Sequence, residues 1–474
     1  MRRSFLKAHD STLNTQHSTL TTQDSRLKTY DLHLMDEKFD CIIVGAGVAG
    51  LAAAMTLARN NMKFLLIEKG EFPGSKNVSG GVLWGTDLAR LVPNYWEEDG
   101  GWDRFINHRR LTFMDEQSTF SVDFKSSHFS EPPYAGVVVL RSKFDRWLAD
   151  KVQAAIDDSD YAMDSFIAPN ILVEEVLMED GKAVGIRTGD EKFYADSVIL
   201  AEGVNNLLTR QVGLQDTYVP ADHMLTGIKE IIRFDQSVLE DRFQLNGKSG
   251  MSNEYVGYAT DGVEGGGFLY TNKDTISLGL VLGIKDMREK SRSPHDILNE
   301  FKKHPVIADT IRGGEIVEYS AHAVSSGDKR VAPEKLYKAG LLVCGEAANL
   351  LMNAGKAIQG MDYAMRSGIL AAEAITEAKS DEDFSETSMK RYQDTLKDSY
   401  IMQDINNFQD AVHLLHDPIM TQKMPNLICD FGRNFFSIKN EPTKKAREML
   451  RDSVKKHASY WDMIKVGAKG AKAL

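Results

Sequence analysis

An α/β fold in three parts is predicted for this chain: a parallel-stranded domain opened by a strand–glycine turn–helix unit, an inserted antiparallel-sheet domain, and a helical C-terminal region. Three observations predict it. Phe39 to Lys69 reads FDCIIVGAGVAGLAAAMTLARNNMKFLLIEK, in which Phe39 to Val44 and Lys63 to Ile67 have strand character and Leu51 to Asn60 helical composition. Residues 265–283, GGGFLYTNKDTISLGLVLG, hold two strands joined by a connection too short for a crossover helix, so they pair antiparallel. Leu341 to Cys344 is a further buried strand, and the long helix rich in small residues that starts at Met361 returns the chain to the first domain.

The glycine turn carries the first chemistry. Gly45, Gly47 and Gly50 have the spacing of a Rossmann-like dinucleotide-binding turn, with a strand before and a helix after. Gly45 makes the tight turn, Gly47 lets the backbone approach a pyrophosphate, and Gly50 lets the helix pack closely on the strand. Phosphates there meet unpaired N–H groups and the positive end of the helix dipole. Glu68, at the end of the second strand, is placed to accept hydrogen bonds from two ribose hydroxyls, and its charge would repel a 2′-phosphate. The pattern points to FAD or NAD. A ligand-free turn would have to account for three glycines that each cost about 0.5–1 kcal/mol against alanine near a helix start.

The composition narrows the function classes. A net charge of −11 argues against nucleic acid as a partner. The three cysteines, Cys41, Cys344 and Cys429, are far apart, so neither an iron–sulfur cluster nor a zinc knuckle is written locally, and their small number points to a reducing compartment. Cys41 lies in the first strand, where packing is its expected role. The apolar run from Cys41 to Ala58 is explained by the strand and helix of the dinucleotide fold rather than by a membrane span.

Along the chain, residues 1–35 are polar and read as a disordered extension or as sequence ahead of a natural start at Met35. Residues 36–214 and 336–380 are assigned to the cofactor-binding domain, 215–335 to the inserted α+β domain, and 381–474 to the helical region with its basic tail. After Glu68 and Lys69 comes a glycine-rich loop in which Lys76, Asn77, Ser79, Gly80 and Gly81 are expected to face the cofactor, because ligands sit beyond the carboxyl ends of parallel strands, against the alternative of a plain surface loop. Arg141 follows the strand Val137 to Leu140 and is a candidate for phosphate or adenosine contact, against a plain helix-start role. Glu202 and Gly203 end another strand, Gly203 giving backbone and Glu202 a structural contribution. Gly345 and Glu346, then Gly355, Gly360 and Met361, make the last approaches, and the helix from Met361 aims its N–H groups at a ring that gains negative charge. Residues 384–412 read as one charged helix, and Met420 to Phe436 as a packed subdomain or an apolar contact surface. His304 and His322 have no local ligand partner and stay unassigned.

With GAGVAG at 45–50, KNVSGG at 76–81, AEG at 201–203, the 265–283 segment and GEAANLLMNAGKAIQGMDYAMRSGILAAEA at 345–374 in view, the chain resembles the FAD-dependent oxidoreductases related to electron-transfer flavoprotein–quinone oxidoreductase, most closely the FixC-like branch. These motifs also match in part the wider geranylgeranyl reductase superfamily. The resemblance implies an FAD-binding domain of glutathione-reductase type holding one noncovalent FAD. It implies a partner flavoprotein pair, related to the electron-transfer flavoprotein alpha and beta subunits, that oxidises NADH and divides electrons between ferredoxin or flavodoxin and this branch. It further implies a quinone acceptor and a small ferredoxin-like FixX subunit, because this chain lacks the cysteines with which the mitochondrial-type relatives hold a four-iron cluster. Glu346 stands where the family's late FAD motif usually has Asp. Phe268, Leu350 and Met352 are the residues expected on the quinone side, and no catalytic base or metal site is assigned. The expected location is the cytoplasm, peripheral on the inner face of the cytoplasmic membrane. A prenyl reductase of the geranylgeranyl type is the alternative, and an aromatic hydroxylase the third.

Overall fold

The computed structural model describes residues 38–76, 80–215, 218–355, 357–415 and 417–473. The expected N-terminal extension, Asn77 and Ser79 lie outside these residues. Strand β1 (Phe39–Val44), helix α1 (Val48–Arg59) and β2 (Phe64–Ile67) open the chain. β3 (Gly80–Trp84), β4 (Arg104–Met114), β5 (Thr119–Lys125) and β6 (Gly136–Leu140) follow, then helix α2 (Arg141–Asp157) and β7 (Phe166–Ala168). The hairpin β8 (Glu175–Glu179) and β9 (Lys182–Thr188) turns through Asp180 and Gly181, both at positive φ, and feeds β10 (Glu191–Leu200) and the short helix α3 (Leu207–Gln211).

β1 pairs in parallel with β2 on one side and β10 on the other, in an eight-stranded sheet ordered β16-β17-β10-β1-β2-β7 with β8 and β9 attached to β10. A central parallel strand is covered on both faces, so Ile42, Ile43, Val198 and Ile199 are fully buried rather than alternating. Helix α1 is mostly alanine between its ends and therefore thin. The helix Met361–Ser380 comes so close that a Cβ on Gly368 would collide with the Ala49 carbonyl.

The second sheet has nine strands, ordered β15-β11-β14-β13-β12-β4-β6-β3 with β5 on β4. It is built from β11 (Met224–Arg233), β12 (Ser249–Gly257), β13 (Gly265–Thr271), β14 (Thr275–Gly283), helix-flanked β15 (Glu315–Ser325), and β3 to β6. The sequence reading placed this unit at 215–335 alone. Strands from residues 80–140 join it because β4 pairs in parallel with β12, Ser252 opposite Arg109. One face of the sheet packs Ile228, Leu269, Leu278 and Leu280 against helix α4 (Pro294–Lys303) through Ile297, Leu298 and Phe301.

The chain returns to the first sheet through β16 (Tyr337–Lys338) and β17 (Leu341–Val343), forms the small hairpin β18 (Met352–Asn353) and β19 (Ile358–Gln359), and enters α5 (Met361–Ser380). The single helix expected over 384–412 is three: α6 (Glu386–Asp398), α7 (Tyr400–Asn407) and α8 (Ala411–Leu415). Ser399 makes the first break. It takes an extended conformation, and its hydroxyl donates to the Leu396 carbonyl at 2.6 Å, closing α6 just where α7 begins. α9 (Met424–Phe436), α10 (Ala446–His457) and α11 (Tyr460–Ala473) complete the chain. The basic tail is folded back on acids: Lys444 on Asp452, Lys456 on Asp430, and Lys472 on Asp410, at 2.8, 2.6 and 2.8 Å.

Candidate functional site

The glycine turn is built as its spacing requires. Gly45 has φ +104°, and a Cβ there would run into the Ala201 carbonyl; a Cβ on Gly50 would run into the carbonyl of Gly45. These two glycines lock β1, α1 and the end of β10 together. Gly47 differs: its backbone is extended, and among the described residues an added Cβ would meet only Arg141 Nη2, at 3.5 Å. It therefore opens space in front of α1, whose first turn carries neither a capping side chain nor an acid. The start of α1 is an uncompensated positive helix end with a cation across a narrow gap. Glu68 closes the far side, its Oε2 accepting from Ala46 N–H at 2.9 Å and its Oε1 from Gly70 N–H at 2.6 Å.

Arg141 is the largest charge in this space. Its Nε and Nη2 donate to both oxygens of the fully buried Asp145, at 2.6 and 2.7 Å. This fork fixes the plane of the guanidinium. Despite the burial of the guanidinium, Asp145, then Glu346 and Glu68, keep Arg141 charged. The Glu346 carboxyl is half-buried, and burial pushes its pKa up to about 7 against one long bond from Ser325 N–H, at 3.4 Å, and the charge of Arg141. The folded protein thus holds a proton there above the usual carboxylate range, so stability falls as pH rises from that range through about 7. In the cofactor-free protein, Glu346→Gln is expected to melt above the parent at alkaline pH, by on the order of 2 kcal/mol, and level with it in acid. A melting difference that does not change with pH contradicts this.

Other expected residues converge on the same space. Gly345 has φ +66° and sits against Ala49 of α1 and Ala364 of α5. A Cβ on Gly81 would touch Met361 Cε at 3.4 Å, which places β3 beside the start of α5. Gly355, at φ +72°, packs on Leu415, and Gly203 has φ +75°. Glu202 is engaged elsewhere: its carboxylate accepts from Leu208 N–H, Thr209 N–H and the Thr209 hydroxyl, and so caps α3. The start of α5 behind Gly360 is also partly occupied, since buried Asp362 lies in its first turn and accepts from Gln359 Nε2 at 2.7 Å. Lys69 and Lys76 are exposed. Leu350 and Met352 are packed in the large core, where Tyr363 bonds the Met352 sulfur. His304 is structural, accepting from Val306 N–H and facing the Asp115 carbonyl.

Comparison with known proteins shows the family. Protein FixC of Escherichia coli K12 is 37% identical over 444 residues, spanning 93% of this chain and all of that protein. The chain belongs to the FixC and electron-transfer flavoprotein–quinone oxidoreductase family. A probable electron transfer flavoprotein-quinone oxidoreductase of the same organism, YdiS, is 36% identical over the same length. Residues 40–110 match an FAD binding domain, 225–324 the family described as ETF-QO, ubiquinone-binding, and 411–474 the ETF-QO/FixC family C-terminal domain. Among solved structures, a geranylgeranyl bacteriochlorophyll reductase-like protein from Thermoplasma acidophilum has TM-score 0.67 and 20% identity, covering 90% of this chain and 98% of its own, which shows the shared fold. This FixC-family chain is an FAD-dependent oxidoreductase. The residues present fit the cofactor: the cavity a Gly47 Cβ would fill, the uncapped start of α1 and Arg141 together suit a diphosphate.

In this FixC-family fold the residues that local sequence reading missed lie on the face of the nine-stranded sheet opposite α4. Arg109 stacks on Trp84, 4.4 Å from the ring centre; Phe268, the residue expected on the quinone side, shares this face and stacks on Tyr270 at 5.1 Å. Glu254 stands opposite Phe268, Lys229 opposite Gly279, and His322 opposite Gly227. The His322 side chain is exposed, yet partial desolvation, with the cations of Arg141 and Lys69, lowers its pKa and ties this face to the glycine-turn site. The signal was present in GIKEIIRF, where a lysine and a glutamate interrupt an apolar strand.

Proposed function

We propose that this chain receives electrons from an electron-transfer flavoprotein pair and passes them to a quinone, as the FixC-like subunit of a complex that includes a small ferredoxin-like FixX subunit. The observation that carries the reading is the end-to-end match to FixC proteins, together with the ubiquinone-binding family match at 225–324, which spans almost all of β11 to β15. Bound FAD supplies the redox chemistry. The chain's own residues position it. The start of α1 and Arg141 take the diphosphate, Glu68 exchanges its backbone partners for ribose hydroxyls, and Gly345 and Glu346 meet the ribityl side. Phe268 belongs to the quinone face.

Among the described residues no helix is long and apolar enough to cross a membrane. Exposed Phe436, Ile438 and Trp461 in the C-terminal region support peripheral contact with the inner face of the cytoplasmic membrane. Replacing all three by serine is expected to lower co-sedimentation with anionic lipid vesicles severalfold, by removing on the order of 2 kcal/mol of apolar burial each where a side chain inserts. Unchanged recovery in the pellet sinks this part.

The acceptor is tested by reducing the FAD-loaded chain without oxygen and mixing it with a soluble ubiquinone analogue or a geranylgeranyl substrate. Reoxidation by the quinone and not by the prenyl group is expected. The reverse preference favours a prenyl reductase.

A further inference from the structure

The sheet face opposite α4 carries a straight row of residues across four strands. Lys229 on β11 pairs with Gly279 on β14, Gly279 with Phe268 on β13, and Phe268 with Glu254 on β12. Directly opposed residues in antiparallel strands point to one side, so these four share a face. Glycine at 279 is required, because a Cβ there would clash with the Phe268 ring and the Lys229 side chain. The ring therefore lies over Gly279, between the two ionisable groups. Three strand spacings put the backbones of Lys229 and Glu254 about 14 Å apart, a gap that a planar ring on Phe268 would bridge.

The charges on this row are incompletely matched. Lys229 is buried to 4% exposure, and among the described residues its nearest recorded acid is Glu318 at 4.0 Å, beyond hydrogen-bond reach. Glu254 is half-buried, with Arg109 and Tyr270 beside it. A buried amine without a close carboxylate is costly as a purely structural device.

Resting on the quinone reading above, we propose that a quinone ring lies on Phe268 between Lys229 and Glu254, and that these two side chains deliver the two protons that turn it into a quinol. The quinone accepts two electrons from the reduced cofactor, whose own hydrogen is released to solvent as a proton; one proton leaves the Glu254 carboxyl and one leaves the Lys229 ammonium, and two O–H bonds form. Each donor is left in a form its surroundings tolerate. The Glu254 carboxylate faces Arg109, and the neutral Lys229 amine suits burial. Solvent protons return to Lys229 past the exposed Glu318. Burial pushes Glu254 up to about 7 and pulls Lys229 down to about 8, so both can hold and release a proton near neutrality. Arg109 opposes the first shift and Glu318 the second; Tyr270 and, further along the face, His322 are the other titratable groups.

The test compares two acceptors on the FAD-loaded full chain: a soluble ubiquinone analogue, which needs protons, and ferricenium, which takes electrons alone. Glu254→Gln and Lys229→Met are each expected to slow quinone reduction about a hundredfold at neutral pH, with ferricenium turnover and FAD content within about twofold of the parent. Quenching of flavin fluorescence by a redox-inert quinone analogue is expected to persist in both variants. The parent's fall in quinone turnover above about pH 7 should move to above about pH 8 in Glu254→Gln, where the Lys229 ammonium, the remaining donor, loses its proton. Equal slowing with both acceptors, or unchanged quinone turnover in both variants, overturns the proposal. A parent that reduces ferricenium but not quinone instead overturns the quinone reading, and the proposal with it.

Discussion

Gly47→Glu is expected to give a folded protein that has lost its FAD. The Gly47 backbone is extended at φ −81°, a conformation any residue adopts, and among the described residues the only atom near a new Cβ is Arg141 Nη2 at 3.5 Å. The substitution therefore leaves β1 and α1 intact. The added carboxylate points into the gap before α1, pairs with Arg141 and stands where the diphosphate is proposed to lie. Losing charge-assisted bonds of about 1.5–3 kcal/mol each should weaken FAD binding at least about a hundredfold. Gly45→Ala makes a useful contrast. At φ +104° and against the Ala201 carbonyl, it should cost fold stability before cofactor. Absorbance of the purified protein and its melting temperature separate the two. A Gly47→Glu protein that purifies with full FAD removes the glycine turn from the site.

The second large effect is at Arg141. Removing it leaves the fully buried Asp145 carboxylate without its two-pronged partner, at about 3 kcal/mol or more. Arg141→Ala is thus expected to lower both the melting temperature and FAD affinity. The double variant Arg141→Ala with Asp145→Ala should recover most of the stability, because no unpaired charge remains, and none of the affinity. Recovery of FAD binding in the double variant would make Arg141 a structural residue only.

These two residues also show what the sequence makes legible. The glycine turn, its flanking strands and the hairpin at 265–283 are local patterns, and each lies in the fold within a few residues of where its pattern ends. Arg141 was visible as a cation at a strand end, and its partner Asp145 lies one helical turn on. The assembly of the second sheet was not legible. β4 pairs with β12 across a long stretch of chain, and a polar, alternating strand such as RFINHRRLTFM does not announce its neighbour. Nor does alternation say which face a helix will cover. Lys229 and Glu230 are adjacent in sequence, yet Glu230 is matched by Lys302 of α4 at 2.6 Å while Lys229 faces the other way. Leu350 and Met352, expected on the quinone side, lie in the large core, because apolar residues beside a glycine-rich loop go as readily into the core.

The most direct test of the proposed electron path is anaerobic mixing of the FAD-loaded chain with NADH, first alone and then with an electron-transfer flavoprotein pair, followed by a soluble quinone. Slow bleaching of the flavin by NADH alone, fast bleaching through the pair, and recovery of the oxidised spectrum on adding quinone are the expected results. Fast bleaching by NADH or NADPH without the pair, or a reduced flavin that quinone leaves unchanged, would contradict the account.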